Sequence, residues 1–253
     1  MGFEFEFSGT GDARRVPVYG CDCPACERAN RDPGQARRAC SALVKAGGYT
    51  LMLDAGRTDL CETFPPGSFQ AILLTHYHMD HVMGLFHLRW GAKHTVPVYG
   101  PSDSRGCDDL YKHPGILDFQ TPMVPFTTVN LGPLKITPLP LNHSRPVLGY
   151  CIEHQGKRLA YLTDTVWLPE SSLDWLCEHR PDVMVLDCST PPKPEPPRNH
   201  NDLTLALELV NIIRPGRTLL THVGHQLDEF LMMNPALPND VGVAADGMRL
   251  EMS

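Results

Sequence analysis

The stretch Ala71-Ile72-Leu73-Leu74-Thr75-His76-Tyr77-His78-Met79-Asp80-His81 sets an apolar run directly against three imidazoles and a carboxylate. A short apolar run ending in polar residues reads as a buried strand delivering its side chains to a loop. His76, His78, Asp80 and His81 are too close in sequence for one tetrahedral ion to use them all, but two neighbouring ions can share them. With the segment as a loop entering a helix, His76 and His78 point to one ion while Asp80 and His81 turn toward the other. Mixed nitrogen and oxygen donors suit zinc, manganese or iron, so the motif marks a metal site without naming the metal.

The same pattern of apolar run then polar cluster recurs outward from this point. Leu51 to Leu53 precedes Asp54-Ala55-Gly56, Leu159 to Leu162 precedes Thr163-Asp164, Val183 to Leu186 precedes Asp187, and Thr218 to Leu220 precedes Thr221-His222. At the start of the chain Phe3, Phe5 and Phe7 alternate with Glu4 and Glu6 at the period of a half-buried strand, ended by Gly9-Thr10-Gly11. Helical patterns are fewer. The strongest runs from Asp202 to Ile213, with Asp202 as cap, Leu203, Leu207, Val210 and Ile213 on one face, and Pro215-Gly216 as the stop. Ser171 to Glu178 is a second helix, and the proline-rich stretch from Pro191 to Pro197 is an extended loop beside the site. No repeat is visible, and strands at both ends mixed with helices predict an α/β fold, a two-sheet core covered by helices, in one domain over 1–253.

Nine cysteines include three crowded into Cys21-Asp22-Cys23-Pro24-Ala25-Cys26. Three thiolates at that spacing favour a closed tetrahedral structural zinc needing one more ligand, and His225, three residues after His222, is the candidate. The remaining cysteines read as small apolar residues. The chain has 253 residues and a net charge of -7, with no basic run longer than a pair, which disfavours nucleic acid as a partner and favours a small molecule. No stretch approaches the roughly 18 apolar residues of a membrane helix, and the start does not read as a signal peptide, so no membrane partner and a cytoplasmic location are expected.

His-x-His-x-Asp-His resembles the signature of the metallo-β-lactamase superfamily, and later residues extend the resemblance: His143 in Leu141-Asn142-His143-Ser144, Asp164 in Thr163-Asp164-Thr165, and His222 in Leu220-Thr221-His222. The resemblance implies a four-layer αββα sandwich. It implies that His76, His78 and His143 hold one ion, Asp80, His81 and His222 the other, and that Asp164 bridges them.

Further stretches are similar to the PhnP-like phosphoribosyl 1,2-cyclic phosphate phosphodiesterases of the bacterial carbon–phosphorus lyase pathway. They are Ser8-Gly9-Thr10-Gly11, the Cys21 cluster, Gly106-Cys107-Asp108-Asp109-Leu110, Thr137 to Ser144, Pro197-Arg198-Asn199-His200 and Asp246-Gly247-Met248. That family implies two catalytic divalent ions, manganese favoured and zinc the alternative, one structural zinc, a homodimer, and opening of 5-phosphoribosyl 1,2-cyclic phosphate to ribose 1,5-bisphosphate. Water activated at the ions would attack phosphorus while the ribose 2-oxygen leaves. His200 is then the candidate acid for the departing alkoxide, with Asp187 orienting its ring and Asp80 indispensable to the metal chemistry. Arg145 and Arg198, beside these residues, are candidates for the 5-phosphate. The alternative is a phosphodiesterase resembling the transfer-RNA 3-prime processing nucleases, although no glycine- and lysine-rich arm is present to grip such a substrate.

Overall fold

Phe3, Phe5 and Phe7 are buried on one face of the first strand, while Glu4 and Glu6 on the other meet Lys45 Nζ at 2.8 and 2.5 Å. That two-sided pattern fixes the strand's orientation, because slipping it by one residue would expose three phenylalanines worth about 1.5–3 kcal/mol each in burial. The structure is a computed structural model and describes residues 2–253.

Among the described residues two seven-stranded sheets form. The first contains β1 (Phe3–Gly9), β2 (Ser41–Ala46), β3 (Tyr49–Leu53), β4 (Ala71–Leu73), β5 (Val96–Tyr99) and β6 (Leu117–Phe119) in that order. The second contains β7 (Val129–Leu131), β8 (Leu134–Pro140), β9 (Leu148–His154), β10 (Lys157–Leu162), β11 (Val183–Asp187), β12 (Arg217–Thr221) and β13 (Val241–Val243). β14 (Arg249–Met252) returns to pair antiparallel with β1. Strands β3 to β6 run parallel, as do β10 to β13, so within each set the carboxyl ends share one edge.

Alternation along the strands explains the layers. Leu159, Tyr161, Val183, Val185 and Leu219 face β1 and the first sheet, in one core with the three phenylalanines. Ala160, Leu162, Met184, Leu186 and Leu220 face outward, onto α6 (Glu170–Glu178), α7 (Leu203–Ile213) and α8 (His225–Met233). On the other side Met52, Ile72 and Leu74 meet helices α2 (Leu60–Thr63), α3 (Met79–Val82), α4 (Leu85–Leu88) and α5 (Asp108–Lys112). The result is the expected αββα order, with α1 (Pro24–Arg31) packed at the side against α8.

The expected helix after Asp202 is present, and the Asp202 side chain accepts from Leu205 N at 2.9 Å. Its buried stripe differs in part from the expected one: Leu203, Ala206, Leu209, Val210 and Ile213 are buried, whereas Leu207 is only partly so. At 100° per residue the buried stripe is as wide as the expected one but turned by about 40°, toward Ala206 and Leu209 and away from Leu207. The segment 191–200 carries no helix or strand, as its prolines require.

Candidate active site

The residues singled out in sequence arrive at one edge of the sandwich, each just past a strand. Thr75 to His78 follow β4, His143 follows β8, Asp164 follows β10, Asp187 ends β11 and His222 follows β12. His78 is the cap residue before α3, and the first turn of that helix presents Asp80 and His81. His222 adopts a left-handed conformation (φ 58°). Its loop is held there by Val223 N donating to Thr10 O at 2.8 Å and Asp12 N to Val223 O at 3.3 Å, a context that can sustain a backbone state costing about 1–3 kcal/mol.

Two groups of donor atoms result. His76 Nε2 and His143 Nε2 lie 2.9 and 3.0 Å from His78 Nδ1. In the second group Asp164 Oδ2 lies 3.3 Å from both His81 Nε2 and His222 Nε2, and Asp80 Oδ2 is 3.6 and 3.4 Å from the same two nitrogens. Asp164 Oδ2 is also 3.8 Å from His76 Nε2 and 3.9 Å from His143 Nε2, so this one oxygen stands between the groups. The other, Asp164 Oδ1, accepts from Thr163 Oγ1 at 2.6 Å.

Second partners orient the rings. His81 Nδ1–H donates to Asp54 Oδ2 at 2.8 Å, and His143 Nδ1–H donates to the Asn199 carbonyl at 3.1 Å. Each Nδ1 therefore carries a proton; on the neutral His143 ring this leaves Nε2 with a lone pair toward the cluster, whereas His81 Nε2 gains one only when a metal ion displaces the second proton of that ring. His222 Nδ1 meets Ser189 Oγ at 2.9 Å, and His76 Nδ1 meets Thr75 Oγ1 at 3.0 Å. Asp54, Thr75 and Ser189 were not assigned a role from sequence. The only signal was that Asp54 and Thr75 follow apolar runs, and Ser189 sits two residues past Asp187.

Electrostatics divide the site. Burial first, then repulsion from neighbouring rings (His81 on His76, His143 on His78 and His200 on His143), pushes these three imidazoles below their ordinary range, so this group is neutral and ready to coordinate. Burial opposes charge on His81 and His222 too, yet Asp164 and its fellow carboxylates hold His81 well above its ordinary value and His222 up to about 9. Burial disfavours charge on Asp80 and Asp164 as well, but His81 and His222 overcome it and keep both carboxylates ionised. Buried carboxylates that draw positive charge onto neighbouring rings offer the same attraction to a cation. His81 Nε2 supports that reading directly: it is fully buried and makes no hydrogen bond, an orphan a metal ion would satisfy. Adjacent ligands at metal–nitrogen distances of about 2.0–2.1 Å are about 2.9–3.4 Å apart, the spacing found here.

His200 stands over these groups. Its ring centroid is 5.0 Å from that of His143 and 4.7 Å from that of His222, and Nδ1–H donates to Asp187 Oδ2 at 2.8 Å. Asp187 is fully buried and also accepts from Thr165 N at 2.8 Å, so its position is fixed. Burial opposes the imidazolium, but Asp187 raises the His200 pKa, and Nε2 is left free of protein partners.

The donors of the thiol cluster lie together. Cys21, Cys23 and Cys26 place sulfur 3.4, 3.4 and 3.7 Å from His225 Nδ1. A tetrahedral zinc with sulfur at about 2.3 Å and nitrogen at about 2.0 Å would put such atoms about 3.5 Å apart. His225 opens α8, three residues beyond His222, and the helix is tied down by Arg37, whose Nε and Nη2 contact Asp228 at 2.7 and 2.8 Å.

One expectation is corrected. Arg145 is not available to a ligand: Nε and Nη2 pair with Asp103 Oδ2 at 2.9 and 2.8 Å, while Nη1 and Nη2 donate to the carbonyls of Tyr77 and Gly106. It staples the loop around Asp103 to the histidine motif. Arg198 stays exposed beside His200.

Comparison with known proteins decides the family. A family model described as a beta-lactamase superfamily domain matches residues 57–223, which contain every ligand candidate of the two catalytic groups. The chain belongs to the metallo-β-lactamase superfamily. Its fold follows, and the fold implies divalent-metal binding at the candidate His and Asp groups. A crystal structure described as a new diphosphatase from the PhnP family superimposes with a TM-score of 0.83 at 27% identity, covering 99% of this chain and 97% of that one. An octanoyltransferase of Porphyromonas gingivalis is 26% identical over 256 residues, 95% of this chain and 50% of that protein. A ribonuclease Z of Mycolicibacterium gilvum is 27% identical over 170 residues, 53% of this chain and 58% of that enzyme. The chain's matches thus span 50% and 58% of the length of these two relatives. No helix among the described residues is long and apolar enough to cross a membrane.

Proposed function

We propose that the chain is a metal-dependent phosphodiesterase that opens 5-phospho-α-D-ribosyl 1,2-cyclic phosphate to ribose 1,5-bisphosphate. The observation that carries the proposal is the Asp187–His200 pair set over a two-lobed cluster of imidazoles and carboxylates. In this reading His76, His78 and His143 would hold one divalent ion, Asp80, His81 and His222 would hold the second, and Asp164 would serve both groups. When bound, the ions supply the positive charge that makes water a nucleophile at neutral pH and that offsets charge on the phosphoryl oxygens. Cys21, Cys23, Cys26 and His225 hold a structural zinc.

The protein's own groups account for the remaining needs. Asp54 and Asn199 fix a proton on Nδ1 of His81 and His143, and Thr75 and Ser189 help orient the rings of His76 and His222. Asp187 accepts His200 Nδ1–H, so the second proton of the ring sits on Nε2, the nitrogen facing the cluster. His200 Nε2–H then donates to the leaving ribose 2-oxygen as its bond to phosphorus breaks, and the phosphate stays on carbon 1. The likeness over nearly the whole chain to a PhnP-family diphosphatase supports a small phosphorylated substrate. The proposal carries with it one catalytic domain over 1–253, manganese as the favoured catalytic metal, a homodimer and a cytoplasmic location.

The ribonuclease Z relatives favour a second reading, cleavage of an RNA 3-prime end. Against it stand the net charge of -7, which repels a polyanion, and the lack of a lysine-rich arm in the sequence. Cleavage of precursor transfer RNA in preference to the cyclic phosphate would establish the rival. For the proposal itself, His200→Ala is expected to keep its full metal content and lose 10²–10⁴-fold in turnover, the usual contribution of a positioned acid. Undiminished turnover would remove His200 from the mechanism.

A further inference from the structure

His200 and His222 line one side of a cavity of about 280 Å³ whose wall also carries Arg14, Lys193 and Arg198. Its volume is near the lower end of the roughly 300–1,000 Å³ typical of small-molecule sites. Three cations around one small hollow are unexpected in a chain of net charge -7, since like charges held together repel unless something compensates them. Among the described residues only Arg14 has a compensating partner. Its Nε and Nη2 donate to Asp12 Oδ2 at 3.2 and 2.9 Å, whereas neither Lys193 Nζ nor the Arg198 guanidinium pairs with any acid.

The Arg14 wall is built, not incidental. Asp12 is nearly fully buried, its Oδ1 accepts Arg14 N at 2.9 Å, and its own N–H donates to Val223 O. The turn is thereby tied to the residue following His222, and the guanidinium is held by two contacts while its side chain stays half exposed. Gly224 leaves the space this requires: a Cβ there would lie 2.8 Å from Asp12 Oδ2 and 2.7 Å from Ser189 O. On the facing side the chain that carries Lys193 and Arg198 is anchored by Lys193 N donating to Asp202 Oδ2 at 3.1 Å and by His200 on Asp187.

Three cations less one carboxylate leave a charge of about +2, which matches a phosphate monoester carrying nearly two negative charges at neutral pH. We infer that this pocket is the specificity site for a second, non-reacting phosphate monoester on the substrate, gripped by Arg14, Lys193 and Arg198 while the cyclic phosphate lies at the metal-ligand cluster. The inference rests on the phosphodiesterase reading above and extends it. It replaces Arg145 with a different set of cations, and it explains why the loop rich in proline ends at His200: one short segment supplies both the phosphate grip and the acid, so binding the remote phosphate also sets the acid in place.

The test compares ribosyl 1,2-cyclic phosphate with and without a phosphate at the 5-position. The readout is the ratio of the two kcat/KM values, which is independent of the fraction of each preparation that is folded and metal-loaded. Wild type is expected to prefer the phosphorylated compound by about 100-fold or more, and Arg14→Gln, Lys193→Gln and Arg198→Gln are each expected to lower that ratio about tenfold. Arg198→Lys should recover part of the loss. Equal turnover of both compounds by wild type, or a ratio unmoved by all three substitutions, would overturn the pocket and leave the phosphodiesterase reading standing. Turnover of neither compound by metal-loaded wild type would overturn both.

Discussion

Replacing Asp54 by Asn tests the logic of the metal-ligand cluster without touching a proposed ligand. Asp54 is fully buried; its carboxylate accepts His81 Nδ1–H at 2.8 Å, Thr75 N at 2.8 Å and the Thr75 hydroxyl at 2.9 and 3.0 Å. An asparagine side chain has the same shape but only one acceptor oxygen. If that oxygen stays on the Thr75 amide, the new NH₂ faces His81 Nδ1–H, and two donors oppose each other. The conflict is relieved when His81 moves its proton to Nε2, the nitrogen that faces Asp164 and Asp80, and the lone pair needed for a metal is lost. Disrupting such outer partners costs about 10–100-fold in metal affinity, or about 1.4–2.7 kcal/mol. Metal content should be measured by mass spectrometry after dialysis against graded chelator. We expect Asp54→Asn to release one catalytic ion at 10–100-fold lower chelator strength, with the ion on His76, His78 and His143 retained longer. Metal retention equal to wild type would refute the argument that Asp54 fixes the His81 tautomer.

Other outcomes follow from the same structure. Arg37→Met leaves the Asp228 carboxylate buried, with only Arg28 at 3.6 Å to offset it, and should cost about 3 kcal/mol in urea unfolding; a loss under 1 kcal/mol would show the pair to be dispensable. Cys23→Ser should remove one tightly held zinc per chain and lower the midpoint of thermal unfolding while the two catalytic ions remain, as read by metal analysis of the purified variant. Unchanged zinc content would exclude the thiol cluster as a metal site.

Much of the site was legible because most candidates of the imidazole and carboxylate cluster stand just past an apolar run, and buried strands announce themselves by composition. The His76 to His81 run, Asp164, Asp187 and His222 all fall in that class. What was not legible depends on partners distant in sequence. Asp54 looked like a turn residue, and nothing local ties it to His81, 27 positions away. Arg145 was misread because Asp103, 42 residues earlier, claims its guanidinium. Arg14 carries no local signal in the sequence; it reaches the cavity beside His200 only because Asp12, which holds it, is tied to Val223. The pairing of β14 with β1 and the three-residue strands β6, β7 and β13 also escaped notice, since a strand that short shows too little alternation to be told from a loop.

The most direct test of the central claim is phosphorus NMR of manganese-loaded protein with 5-phosphoribosyl 1,2-cyclic phosphate, run beside an Asp80→Ala control. The account predicts that the cyclic-phosphate resonance is replaced by the two monoester resonances of ribose 1,5-bisphosphate with wild type alone. A cyclic-phosphate signal that persists with metal-replete wild type, or that disappears equally with the control, would contradict it.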